Sequence, residues 1–142
     1  METSNGVENI KNKILVVEDD KDLRDILVDQ LKSFSNYNVL QAADGEEAVA
    51  VIFSQKPDLI LLDLLLPIMD GFAILEKIRT DKDKLISSIK VIVLSNLWSD
   101  KDILRAKALK IDEYYVKANT NLQDVMDKVK AIMDSLPKTS AN

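Results

Sequence analysis

The chain has 142 residues, 46% apolar and 30% charged, the size and balance of one soluble globular domain with a single sound core. Its net charge is −5, from 19 basic and 24 acidic residues without a basic stripe, which argues against direct nucleic-acid binding. Neither cysteine nor histidine occurs, which removes disulfides, thiolate and imidazole metal sites and a histidine base, so any phosphohistidine that matters here comes from a partner.

In chain order, residues 1–11 read as a frayed polar lead without the apolar core of a signal sequence. Ile14-Leu15-Val16-Val17 is a short, β-branched-rich run, the pattern of a strand buried on both faces. Leu23, Ile26, Leu27, Leu31 and Phe34 then share one helical face, with Asp20 as the N-cap. Residues 37–42 predict a second strand, Asp44-Gly45 a turn, and Ala48, Val49 and Ile52 the inner face of a second helix. Residues 59–62 predict the third strand, and Asp70-Gly71 opens a helix carrying Ile74, Leu75 and Ile78. The link over residues 80–88 is slightly long. Residues 91–94 predict the fourth strand, 103–109 the fourth helix and 113–116 the fifth strand. The last helix has the cleanest period, at Leu122, Val125, Met126, Val129, Ile132 and Met133, so both methionines belong to the core. Residues 137–142 read as a short polar tail, leaving 12–136 as one domain. No stretch reaches the length of a membrane span, and the cytoplasm is the default location.

Five strands alternating with five helices predict an α/β fold: a doubly wound, five-stranded parallel sheet with helices on both faces, in three layers. Such sheets collect ligands beyond the carboxyl ends of their strands, near the point where strand order reverses. Glu18, Asp19 and Asp20 follow the first strand, Asp63 closes the third, Ser95 and Asn96 follow the fourth, and Lys117 follows the fifth. Asp63 is the most telling, because it sits between the apolar runs Leu59-Ile60-Leu61-Leu62 and Leu64-Leu65-Leu66, where a lone carboxylate is costly unless something pairs with it. Acids clustered in this way imply a hard divalent metal with oxygen ligands, and Mg²⁺ is the natural choice because it keeps waters and bridges to phosphate. An aspartate among such cations can attack phosphorus and hold an acyl phosphate. Ser95 offers a hydroxyl to a phosphoryl oxygen, and Lys117 a mobile point charge.

Four segments carry a family resemblance: Val16-Val17-Glu18-Asp19-Asp20, Leu62-Asp63 through Asp70-Gly71, Val93-Leu94-Ser95-Asn96, and Tyr114-Tyr115-Val116-Lys117. In order and at strand ends, they make residues 13–136 resemble a receiver domain of two-component response regulators, of the CheY-like kind. The resemblance implies a flavodoxin-like fold and a phosphorelay switch that is not a turnover enzyme. Asp63 would take a phosphoryl group from a sensor histidine kinase or histidine phosphotransfer protein. Glu18, Asp19, Asp63 and the backbone carbonyl of Leu65 would hold Mg²⁺. Ser95 and Tyr114 take the switch positions, so that phosphorylation reshapes the face of the fourth helix, fifth strand and fifth helix for an unidentified target protein. A stand-alone domain, monomeric or weakly dimeric, is the expectation.

The chain departs from the family pattern at three places. Ala118 follows Lys117 where proline is usual, so a trans bond is expected. Asn96 replaces a small residue. Leu65 and Leu97 lie where the family tunes water access to the acyl phosphate, and two apolar side chains there imply slow self-dephosphorylation. Taken singly, the residues have plainer roles: Glu18-Asp19-Asp20 as an acidic helix start, Ser95 as a loop hydroxyl, Lys117 as a solvated charge, Tyr114 as core. Trp98, beside the switch, is either exposed or packed on the fourth helix. An aspartate-nucleophile phosphohydrolase would want a second acid at Leu65. A nucleotide or flavin binder would need a glycine-rich loop after the first strand, and only Gly6, Gly45 and Gly71 exist. The alternative of another class is a degenerate receiver, a phosphorylation-independent interaction module, against which the intact set Glu18, Asp19, Asp63, Ser95 and Lys117 argues.

Overall fold

A computed structural model describes residues 12–137, and the polar lead at 1–11 and nearly all of the tail lie outside the described residues. The strands are β1 (Lys13–Val17), β2 (Asn38–Ala42), β3 (Leu59–Leu62), β4 (Lys90–Ser95) and β5 (Glu113–Val116). The α-helices are α1 (Lys21–Phe34), α2 (Gly45–Gln55), α3 (Gly71–Arg79), α4 (Lys84–Ser87), α5 (Asp100–Ala108) and α6 (Leu122–Ser135). All strand pairs are parallel, in the order β2-β1-β3-β4-β5. That is the flavodoxin-like order, which reverses between β1 and β3.

The period-2 pleat explains why the strands read as continuous apolar runs. Leu15, Val17, Ile60, Leu62, Val91 and Val93 face one side and meet α2 to α5 through Ile52, Ile74, Leu75, Ile78, Ile86 and Ala106. Ile14, Val16, Leu59, Leu61, Ile92 and Leu94 face the other and meet α1 and α6 through Leu27, Leu31, Val125, Met126 and Val129. Both faces are therefore covered, in three layers. Each long helix starts at a side-chain cap: Asp20, Asp44, Asp70, Ser99 and Asn121.

Several boundaries differ from the sequence expectation. The long link at 80–88 holds an additional one-turn helix, α4, capped by Asp83, so there are six α-helices among the described residues rather than five. Its four residues are too few to show a helical period. Ser95 is the last residue of β4 rather than the first beyond it. Ile26, assigned by spacing to the buried face of α1, is 47% exposed, and Val28 is buried in its stead. No cis peptide bond occurs among the described residues, in keeping with Ala118, and Lys117–Asn119 forms a 3₁₀ turn into α6.

At the amino-terminal end of the sheet, Arg79 closes α3 against two other segments. Its guanidinium donates to the carbonyls of Ser87 (2.9 Å), Ile89 (2.8 Å), Leu109 (2.8 Å) and Lys110 (3.1 Å). Arg79→Met leaves these acceptors without their common donor and should lower stability by about 2 kcal/mol. A urea midpoint equal to wild type at an unchanged slope would contradict this.

Candidate functional site

Sheet register assembles the acids. Val17 pairs with Leu62 across β1 and β3, so the next residue on each, Glu18 and Asp63, leaves the sheet side by side at the reversal point. Backbone bonds hold both: Asp63 N–H donates to Val17 O and Glu18 N–H to Ala42 O, each at 3.1 Å. Ser95 pairs with Val116, which places Lys117 one step past the sheet edge.

The two carboxylates are almost wholly buried, Glu18 at 2% and Asp63 at 4% exposure. Lys117 spans them, with Nζ 2.8 Å from Glu18 Oε1 and 2.8 Å from Asp63 Oδ2. The other oxygens take backbone donors, Asp20 N–H on Glu18 Oε2 at 3.1 Å and Leu65 N–H on Asp63 Oδ1 at 3.0 Å. Asp19, exposed, adds a third acid, and carboxylate oxygens of Glu18, Asp19 and Asp63 all lie within 4.8 Å of one another. Burial pushes the Glu18 carboxyl above its usual range, and the Asp63 charge adds to the rise, against hydrogen bonds from Lys117 and from the Asp20 N–H. Burial opposes the Lys117 charge, but its hydrogen bonds to Asp63 and Glu18 and their charges outweigh this and raise its pKa.

Three acids meet one ammonium, and the side-chain donors are carboxylate oxygens alone. That set fits a hard divalent cation such as Mg²⁺ and would suit a softer metal poorly. Leu65 follows in the same loop, its N–H already bound to Asp63. Gly71 lets α3 start directly against this loop: a Cβ there would lie 2.7 Å from Asp63 O and 2.7 Å from Leu64 Cα. Gly45 does the same for the far side of the loop, where a Cβ would collide with the Met69 carbonyl oxygen.

Ser95 is fully buried, and its Oγ accepts the Leu97 N–H at 3.4 Å. Tyr114 donates its hydroxyl to Leu97 O at 2.7 Å, so the backbone of one residue joins the two expected switch positions. Burial, then the charges of Asp102 and Asp63, push the Tyr114 hydroxyl up to about 12. A cleft of about 440 Å³ opens beside Asp19, with Leu65 and Leu97 among its walls and Arg105 in its lining. Arg105 stacks over Phe72, 4.1 Å from the ring centroid, which ties α5 to α3. Trp98 is 73% exposed, which decides between its two expected placements.

The five side chains of the expected set, Glu18, Asp19, Asp63, Ser95 and Lys117, thus sit at this one end of the sheet, with Tyr114 linked to them through Leu97. Two participants went unseen in the sequence. The Leu97 bridge is made of backbone atoms and has no side-chain signature. Arg24 donates Nη1–H to the Glu18 carbonyl at 2.7 Å, and its place in the first turn of α1 resembles any surface arginine.

The family model described as response regulator receiver domain matches residues 14–130. A curated relative from Porphyridium aerugineum, "probable transcriptional regulator ycf27", is 32% identical over 132 residues, which is 93% of this chain and 52% of that protein. Among solved structures, the phosphorylated cyanobacterial phytochrome response regulator RcpA is 32% identical with a TM-score of 0.72, covering 90% of this chain and 98% of that one. The Mn²⁺-bound form of response regulator Rcp1 is 29% identical with a TM-score of 0.73, covering 89% and 98%. The chain spans about half the length of the curated relatives it matches. Those relatives are longer regulators rather than stand-alone domains, and the stand-alone expectation draws no support from them.

Proposed function

The chain belongs to the response regulator receiver domains of two-component systems, and from that premise we propose that it accepts a phosphoryl group on Asp63 and uses it as a conformational switch. The observation that carries this reading is the Lys117 ammonium held 2.8 Å from each of two buried carboxylates, with a third acid beside them. Receiver domains are signalling domains rather than turnover enzymes, and the residues here suit a single transfer.

In that transfer an Asp63 carboxylate oxygen forms the O–P bond as the N–P bond of a partner's phosphohistidine breaks, and the freed imidazole takes the electron pair. Glu18, Asp19, Asp63 and the Leu65 carbonyl would hold Mg²⁺, which when bound neutralises charge on the transferred oxygens. Lys117 supplies the second cation, poised on Asp63 already. Ser95 Oγ turns to a phosphoryl oxygen and gives up the Leu97 N–H; Leu97 O is the anchor of the Tyr114 hydroxyl. The two switch residues therefore respond through one peptide segment, and the change reaches the face of α5, β5 and α6. A histidine kinase or phosphotransfer protein is the donor, a protein that reads this face the target, and the cytoplasm the location. The domain itself makes no direct nucleic-acid contact, and transcriptional regulation stands in the names of the longer relatives. The domain extends over 12–136 and is monomeric or weakly dimeric.

Incubation of the protein with a small acyl phosphate and Mg²⁺ tests the reading. A hydroxylamine-labile phosphoryl label is expected, lost on chelation, and decaying over minutes or longer because Leu65 and Leu97 wall the cleft. No label with Mg²⁺ would sink the phosphoacceptor role in favour of a phosphorylation-independent module, and decay within seconds would sink the role of the two leucines.

A further inference from the structure

We propose that Arg24 is a positioning residue for the cation site: it fixes the turn Glu18–Asp20 so that Glu18 and Asp19 present their carboxylates together. The inference rests on the reading of the acidic cluster as a divalent-cation site.

Three residues join the end of β1 at Val17 to the start of α1 at Lys21, and two of them are proposed ligands. The amide of Glu18 is held by β2 and its carboxylate by Lys117 and the Asp20 N–H. Its carbonyl points beyond the sheet ladder and is taken by Arg24 Nη1–H at 2.7 Å. The same guanidinium donates Nε–H to Gln41 Oε1 on β2 at 3.3 Å. One rigid planar fork thus braces the turn against the neighbouring strand. Helical side chains lean toward the amino terminus, which is why a residue in the first turn of α1 reaches back over the turn that precedes it. Arg24 N–H donates to Asp20 O at 2.9 Å, so the helix that carries the fork starts from the turn it holds.

The placement runs against simple electrostatics. A guanidinium close to a cation site repels the cation, and among the described residues Arg24 forms no ion pair with Glu18 or Asp19 to offset this. Its hydrogen bonds go to a main-chain carbonyl and a side-chain amide, which is what positioning requires. Positioning and charge therefore predict opposite results when the side chain is removed. Loss of positioning weakens metal binding, and loss of a repelling charge strengthens it.

Calorimetric titration with Mg²⁺ of the full chain, of Arg24→Met and of Arg24→Lys separates them, with thermal unfolding recorded with and without Mg²⁺. Arg24→Met is expected to raise the Kd about tenfold, the lower range for partners that orient metal ligands. Its metal-free Tm should shift by no more than about 4 °C, while the stabilisation that Mg²⁺ confers shrinks. Arg24→Lys, which keeps one donor and the charge, should recover part of the affinity. Equal or tighter binding by Arg24→Met overturns the proposal, as does a large fall in metal-free Tm with no recovery in Arg24→Lys, which would mark a merely structural residue. Absence of Mg²⁺ binding by the wild type would instead overturn the cation-site reading itself, and this inference with it.

Discussion

Asp63→Asn should take no detectable phosphoryl label from a small acyl phosphate and yet fold as well as the wild type. The amide keeps the shape of the carboxylate but only one accepting oxygen, which takes either the Leu65 N–H or the Lys117 ammonium, contacts that Asp63 makes through separate oxygens at 3.0 and 2.8 Å. It lacks the anionic oxygen that attacks phosphorus. Two stability terms oppose each other. Lys117 loses a charged partner but retains Glu18 at 2.8 Å, and Glu18 is relieved of a neighbouring charge that raises its pKa. Net stability should therefore stay within about 1 kcal/mol of wild type, since no buried charge is left uncompensated. Urea unfolding and labelling of the same preparation check both halves. A Mg²⁺-dependent label of wild-type size on the variant would move the phosphoacceptor elsewhere in the chain.

Lys117→Met should have the opposite profile, with stability and chemistry both lost. The substitution strands two carboxylates that are 2% and 4% exposed without their ammonium. Removing one partner of a buried ionic group costs about 3 kcal/mol or more, and phosphorylation should slow by a factor on the order of 10² for want of a positioned cation. The stability loss has a predictable pH dependence. Burial already holds the Glu18 pKa above its ordinary range, and Lys117 is the largest influence pulling it back down, with the Asp20 N–H helping. Without the lysine it rises further. A carboxyl whose folded pKa exceeds its unfolded one binds its proton more tightly in the folded state, so stability falls as pH rises through that window and returns as pH falls. Urea unfolding of the variant should therefore show a larger deficit at pH 7 than at pH 5, and added Mg²⁺ should reduce the deficit at pH 7. A deficit equal at both pH values would locate the damage in lost packing of the lysine stem rather than in stranded charge.

The candidate site was unusually legible because its chemistry lies in side-chain types at strand ends. A parallel sheet sends every carboxyl end to one edge, so the alternation of strands and helices by itself brings Glu18, Asp19, Asp63, Ser95 and Lys117 together. The elements built on long apolar runs or clean periods, β1, β3 and α6, were read almost to the residue. The one-turn helix α4 was not, because four residues do not display a period. Ile26 was misassigned because a spacing of three or four residues admits two overlapping stripes, and only the contact of α1 with the sheet chose the one containing Val28.

What the sequence determined by itself was the order of strands and helices, the two-sided burial of the sheet and the inventory of acids, hydroxyl and ammonium at its carboxyl edge. All of these follow from local pattern and from the fixed direction of parallel strands. The tertiary structure alone decided how those groups share their partners. Lys117 divides its charge between Glu18 and Asp63 because register sets the two acids side by side. The backbone of Leu97 links Ser95 to Tyr114. The guanidinium of Arg24 braces the turn that carries Glu18 and Asp19. Each of these depends on main-chain atoms or on distances between residues far apart in the chain, and neither is encoded in residue type or spacing.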